Sequence, residues 1–281
     1  MTQSVFLLVL LAALIDAAQH FLMKAQQDAF AASLAIGMAG GAVALPVLIH
    51  TGLPDAACWP YLAVSVCFGS LYWLALGWCY TRGSLALVFP VSRGGGILMT
   101  TAFAGLVLQD PMRPIEVLTV LVLVAGLGLI LWQGLPKGET GPDQRIPALV
   151  LACIIATYTL IDGVGVRQAG SALAYTATLY VGNAVILSGY AALRTRPRIQ
   201  ALGWAFVPRA LGIGGLSITT YVLIMTAMQT APIALVAALA ETSIIFAALF
   251  AVVWLREPLR PGHAFGVVVM AAGVVSLRLV G

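Results

Sequence analysis

Charge is what this chain has least of. Of its 281 residues only 9% are Asp, Glu, Lys or Arg, against 61% that are apolar, whereas an ordinary soluble domain carries about 25% charged residues. A soluble protein this poor in charge cannot cover its surface with polar groups. The mean hydropathy of +1.03 therefore points to lipid as the solvent of most of the chain. A soluble enzyme, a disordered chain and a nucleic-acid binder are all excluded. The excess of 14 Lys and Arg over 10 Asp and Glu falls between apolar runs, as juxtamembrane charge does, and forms no polynucleotide-binding face.

Reactive and metal-binding side chains are also sparse. The four cysteines, Cys58, Cys67, Cys79 and Cys153, form no CxxC pair and read as packing residues. His20, His50 and His263 lack metal-ligand spacing. No nucleophile elbow, Walker loop or dinucleotide fingerprint appears. Gly94, Gly95 and Gly96 do not form a phosphate loop, because no Gly-Lys-Ser/Thr ending follows. No enzyme activity, metal or cofactor is expected. The apolar run from Val5 to Ile15 follows Met1, Thr2, Gln3 and Ser4, which supply no positive charge, so it is expected as a true span and not a signal peptide.

Long apolar runs dominate what remains. A helix needs about 20 residues to cross the hydrocarbon core. Ten spans are expected, over 4–22, 31–50, 59–80, 84–107, 114–134, 146–166, 172–193, 206–229, 232–255 and 262–280. The runs are continuously apolar and do not alternate, which argues against a β-barrel. The polar, Pro- and Gly-rich stretch from Pro136 to Asp143 reads as a linker.

The two halves repeat. Residues 109–114 (QDPMRP) match 256–261 (REPLRP), and Ala125-Gly126 matches Ala272-Gly273 at the same offset of 147. Ala86, Leu87 and Val88 match Ala234, Leu235 and Val236 at 148. Three matches in one order indicate duplication. Five spans in each half oblige the second to enter the membrane inverted, the plan of secondary transporters with a site near the midplane. The expected organisation is all-α and integral to the membrane. A first five-helix repeat covers 1–137, a linker 138–145 and a second repeat 146–281.

The acid-Pro turn before the last helix of each half, and the Ala-Gly within it, resemble the drug/metabolite transporter superfamily, EamA-like branch. The segments SLALVFPVSRG at 84–94 and YTLIDGVGVR at 158–167 resemble the phosphonate-utilisation-associated membrane proteins. The first helix of that subgroup usually reads His-Ala-x-Trp-Asn-x-x-x-Lys. Here Asp16 to Lys24 reads DAAQHFLMK, without the Trp and Asn. The resemblance implies proton-coupled export. Charge gives the orientation. One set of loops holds ten basic residues, including Arg194, Arg196 and Arg198, and the other holds Arg113, Arg167 and Arg278. By the positive-inside rule the basic side is cytoplasmic and both termini face out.

Ionisable groups within spans are expensive and mark function by default. Asp16, Gln19 and His20 share one face of the first span. They read either as a cavity wall or as a helix-holding hydrogen-bond cluster. Arg93 follows Pro90 and precedes Gly94, Gly95 and Gly96, a candidate break or hinge at membrane depth. Its guanidinium suits a carboxylate, phosphate or phosphonate, or else a structural ion pair with Asp16, Asp162 or Glu241. Glu241 lies 148 residues after Arg93, at the matched place in the second half. It reads as a proton carrier or as half of a fixed salt bridge. Asp162 follows Tyr158 by one turn and aligns with Gln19. It reads as a cavity group or as a helix-end cap paired with Arg167. Tyr72, Trp73, Tyr158 and Tyr221 are aromatic candidates for a pocket, Asn183 is a polar one, and Trp59, Trp78, Trp204 and Trp254 read as belt residues.

Together these readings predict a secondary transporter in a bacterial-type inner membrane. It would move a small polar or amphipathic metabolite, such as an amino acid or aminophosphonate, by alternating access. A lipid-carrier flippase of the same fold is the competing expectation. The expected partners are the solute and membrane lipid, with no nucleic acid. The sequence leaves oligomeric state open between monomer and homodimer.

Overall fold

The computed structural model describes residues 2–23, 28–82, 85–106, 112–134, 142–253 and 261–280. The acid-Pro turns up to Pro111 and from Arg256 to Arg260, most of the linker and Lys24 lie outside them. Among the described residues every regular element is helical. They are α1 (Gln3–Met23), α2 (Ala29–Thr51), α3 (Trp59–Arg82), α4 (Leu85–Leu106), α5 (Pro114–Gly134), α6 (Pro142–Arg167), α7 (Ala172–Tyr190), α8 (Arg196–Ala201), α9 (Val207–Met228), α10 (Ile233–Ala240), α11 (Ser243–Val253) and α12 (Pro261–Val280). Seven stretches among the described residues are long and apolar enough to cross a membrane, and Pro114–Leu129 and Ala264–Ser276 are shorter apolar helices. Leu7, Leu11, Leu45, Ile49, Leu121, Val185, Phe265 and Val268 are exposed, as side chains facing hydrocarbon must be. The protein is a multi-pass membrane protein, helical in every regular element among the described residues.

Local chemistry sets the helix ends. Asp28 caps α2 by accepting from the Ala31 amide at 3.0 Å, and Ser171 caps α7 by accepting from Ala174 at 3.2 Å, in both cases satisfying an orphan first-turn donor. Asp28 also takes two hydrogen bonds from Arg198, at 2.8 and 3.0 Å. The Arg198 guanidinium lies 5.1 Å from the centre of the Phe30 ring. The start of α2 is thereby tied to α8.

The ninth expected span departs from expectation. It is two helices, α10 and α11, separated at Glu241 and Thr242. Neither Gly nor Pro causes the break. The Thr242 hydroxyl and amide both donate to Leu239 O, at 2.7 and 3.0 Å, and Ile244 donates back to Glu241 O at 3.0 Å. Local side-chain and turn bonds thus replace the helical ladder. Every residue of α10 is buried, so this half-helix is surrounded by protein. The fourth span, where a break was expected, is one continuous helix from Leu85 to Leu106. The side chain of Pro90 lies outside the described residues. The glycines here serve close packing: a Cβ on Gly95 would stand 3.0 Å from the Ala152 Cβ, and one on Gly96 2.9 Å from Ile155.

Close approach recurs across the bundle. α5 packs along α12, α4 and α3 along α6, α2 along α7 and α9, and α1 along α9. On α2, a Cβ at Gly41 would lie 2.7 Å from the carbonyl oxygen of Tyr180 on α7, so backbone would have to move. At Gly212 on α9 nothing lies within 4 Å. Gly41→Ala is expected to destabilise the protein by about 1–3 kcal/mol. Gly212→Ala, which removes only a helix-weakening glycine, should leave the melting temperature in detergent unchanged or raised.

The Asp28 cap gives a pH-dependent prediction. Burial raises the pKa of its carboxyl, but the Arg198 and Ala31 hydrogen bonds outweigh this and hold it below the ordinary 3.8. The carboxylate's contribution is complete above that ordinary value and is lost as pH falls through the lowered one. Asp28→Ala should cost about 1 kcal/mol at neutral pH. Arg198→Ala, which removes a largely exposed ion pair, should cost less. The difference between wild type and Asp28→Ala should shrink in thermal melts taken below pH 4.

Candidate functional site

Helices α1, α3, α4, α6, α7, α9 and α10 enclose a cavity of about 130 Å³. Its wall includes all eight of the site residues singled out from the sequence: Asp16, Gln19, His20, Arg93, Tyr158, Asp162, Tyr221 and Glu241. An engineered cavity of about 150 Å³ takes a benzene molecule, so a compact ligand fits this space.

Two polar clusters occupy the wall. In the first, α1 turns Asp16, Gln19 and His20 inward, with Asp16 and Gln19 buried. Arg93 of α4 donates to Asp16 Oδ2 at 2.5 Å, and its Nε lies 3.4 Å from Glu241 Oε2. His20 Nε2 lies 3.5 Å from Asp16 Oδ1. Of the ion pairs open to Arg93, the structure forms those with Asp16 and Glu241. Glu241 is the C-cap of the buried half-helix α10, one turn beyond Ala237 on the same wall.

The second cluster centres on Asp162 of α6, which is fully buried. Tyr175 of α7 donates to its Oδ1 at 2.7 Å, and Tyr221 of α9 donates to its Oδ2. The alternative reading of Asp162 as a helix-end cap paired with Arg167 does not hold. Arg167 donates to the carbonyls of Met228 and Ala231, both at 2.9 Å.

Aromatic rings connect the clusters. Tyr72 and Tyr158 have centroids 5.7 Å apart, Tyr158 and Tyr221 6.4 Å, and Tyr221 and Tyr180 5.9 Å. Trp73 packs edge-on against Tyr72 at 5.6 Å. The hydroxyls of Tyr180 and Ser217 are hydrogen-bonded at 2.8 Å, and Ser70 donates to Asn183 at 3.2 Å.

Sequence reasoning missed Tyr175, Tyr180, Ser65, Ser217 and Thr220, all but Tyr175 on the cavity wall. A signal was present for part of this set. Ser217, Thr220 and Tyr221 repeat the i, i+3, i+4 spacing that singled out Asp16, Gln19 and His20. Hydroxyls satisfy themselves within a helix more cheaply than charges do, so the stripe stood out less. Among the described residues no three His, Cys, Asp or Glu side chains assemble as metal ligands, and the four cysteines are unbridged.

Residues 146–279, in the second half of the chain, match the EamA-like transporter family. A solved structure described only as "Crystal structure of protein" shares the fold, with a TM-score of 0.76 over all of both chains at 17% identity. No curated protein matches the chain.

The Arg93 cluster yields a stability prediction. Removing one partner of a buried ion pair costs about 3–5 kcal/mol, because the other charge is left uncompensated. Arg93→Met should therefore lower the melting temperature markedly. Adding Asp16→Asn and Glu241→Gln to Arg93→Met should recover much of the loss. A triple-mutant cycle measured by thermal unfolding in detergent checks this, with simple additivity as the contrary result.

Proposed function

We propose that the protein is a secondary active transporter that exports a compact polar or amphipathic metabolite across the inner membrane by alternating access, coupled to protons. The observation that carries this reading is the cavity itself, where an Arg, three acids and a set of tyrosines converge from both halves of the chain. Ionisable groups at membrane depth are retained where they bind or conduct.

The same reading divides the chain into inverted repeats, 1–137 and 146–281, joined by the linker 138–145. Packing between the halves supports it, because the contacts fall in exchanged pairs. α3 meets α6 as α1 meets α9, and α4 meets α6 as α1 meets α10 and α11, while α2–α7 and α5–α12 pair counterpart with counterpart. The α5–α12 seam repeats this residue by residue. A Cβ on Gly126 would touch Met270, and a Cβ on Gly273 would touch Leu123, positions that exchange at the sequence offset of 147. In alternating access the halves rock about the central site. Pro90 and Gly94 to Gly96 are the proposed hinge in α4, and Glu241 the proton carrier.

A lipid-carrier flippase of this fold would need room for a long apolar chain. A cavity of about 130 Å³ walled by carboxylates and hydroxyls favours a compact solute.

Proteoliposomes test the reading. An imposed pH gradient should accelerate counterflow of a bound solute by wild-type protein. In Glu241→Gln the acceleration should be lost while solute exchange without a gradient persists. Transport by Glu241→Gln that still follows the gradient would remove Glu241 from the coupling role. No flux of any small solute by folded wild-type protein would sink the transporter assignment.

A further inference from the structure

The transport reading leaves the charge of the solute open, and the cavity wall bears on it directly. Three carboxylates, from Asp16, Asp162 and Glu241, face one guanidinium, from Arg93. With all three acids ionised, negative charge is in excess, since the three carboxylates outnumber Arg93 and His20 together. Two of the acids are provided for within the fold. Asp16 has Arg93 and His20, and Asp162 has a tyrosine hydroxyl on each oxygen. Glu241 differs. It is 7% exposed, its Oε2 accepts no hydrogen bond, and its contact with Arg93 Nε is an ion pair at 3.4 Å. A buried carboxylate oxygen without a donor is costly, so this oxygen is poised to receive an N–H or a proton. Thr220 Oγ1, on the same wall, is also buried without a hydrogen-bond partner.

The wall between the acids is aromatic. The run Tyr72, Tyr158, Tyr221, Tyr180 has successive interplanar angles of 76°, 49° and 62°, a crossed packing that lays aromatic surface along the wall. Ring faces attract cations, more so where water is excluded. An anion meets the opposite situation. The one guanidinium is already shared by two carboxylates, and binding a carboxylate or phosphonate would mean breaking that arrangement and adding negative charge to an excess of it.

We propose that the solute is a compact organic cation, an amine whose N–H groups reach Glu241 and whose hydrocarbon part lies along the tyrosines. The amine and a proton compete for the Glu241 carboxylate. When the ammonium arrives the carboxyl proton leaves, so one positive charge replaces another and the wall keeps its net charge. The groups around Glu241 that bear on this exchange are Arg93 on α4, Asp16 and His20 on α1, Tyr72 on α3, Tyr158 and Asp162 on α6 and Tyr221 on α9. This inference rests on the transport reading of the same cavity and adds the class of solute.

Four probes of nearly one size test it with the full chain in detergent: benzylamine, benzyl alcohol, benzoate and phenylglycine, which are cationic, neutral, anionic and zwitterionic. Benzylamine should raise the melting temperature most, since ligand bound to the folded state stabilises by mass action. Its apparent affinity should weaken about tenfold per pH unit once Glu241 takes up its proton, and binding above that point should be independent of pH while the amine itself stays protonated. Below that point, binding in weak buffer should release about one proton per benzylamine, and well above it none. Glu241→Gln should lose at least about tenfold in benzylamine affinity and all of the proton release. Should that variant fail to fold, the pH series and proton release of the wild type still decide the matter.

Stronger stabilisation by benzoate or phenylglycine overturns the cation assignment, as does amine binding without proton release at any pH, or no binding of any probe. None of these outcomes touches the transport reading, which fails separately on the absence of flux in proteoliposomes.

Discussion

The rest of the site depends on Arg93 being held between Asp16 and Glu241. A guanidinium cannot be discharged at any ordinary pH, so at membrane depth it must be compensated where it stands. Its partners come from α1, which opens the chain, and from the end of α10, which lies in the second half. One charge thus joins three helices that are distant in sequence. Burying such a group costs several kcal/mol per ion even when it is paired. Helix packing alone needs no such device, as the α5–α12 seam shows with Gly126, Gly273 and apolar side chains.

The break in the ninth span falls beside this pair. Ala237 and Ala240 line the same cavity, so Glu241 continues the face that α10 already presents. Ending α10 at Glu241 makes the residue a helix C-cap, next to carbonyls that carry the negative end of the helix dipole. A cation is favoured beside such an end, and Arg93 is that cation. The break is tolerated because α10 is buried on all sides, so its freed backbone groups meet protein and not lipid. The first half carries its charge on an unbroken helix, where Gly95 and Gly96 let α4 settle against α6.

Most of the fold was legible in the sequence, because helix length and apolar continuity are set by the bilayer and leave a direct trace. The positions of α1 to α7 and of α9 follow the apolar runs to within a few residues. The break in the ninth span was not legible. It arises from Thr242 bonding back to Leu239, and Thr-Ser in an apolar run is compatible with an intact helix. At Gly94 to Gly96, read as a candidate break or hinge, α4 is continuous: glycine permits bending but also close packing, and Gly95 and Gly96 lie against α6. In the site, charged residues announced themselves because any charge in a span is expensive. Tyr180, Ser217 and Thr220 gave a fainter signal, since tyrosines and hydroxyls are ordinary within helices. That Asp162 meets tyrosines and not Arg167 depends on α7 and α9 both crossing α6, which no local pattern encodes.

In the proposed inverted-repeat arrangement the matched places of the two halves carry Arg93 and Glu241, and this asymmetry constrains how such a repeat would work. If the repeats exchange conformations between access states, their backbones can trade places but their charges cannot. The guanidinium stays on one half and the carboxylate on the other, so the attraction between them opposes separation of α4 from α10 in either state. A solute that binds Glu241 in place of Arg93 weakens that attraction, and so does a proton. An empty, unprotonated site retains it in full. In the proposed transporter the energetic preference would therefore be for movement with one cargo or the other aboard and against movement with neither, which is the condition that separates an exchanger from a leak.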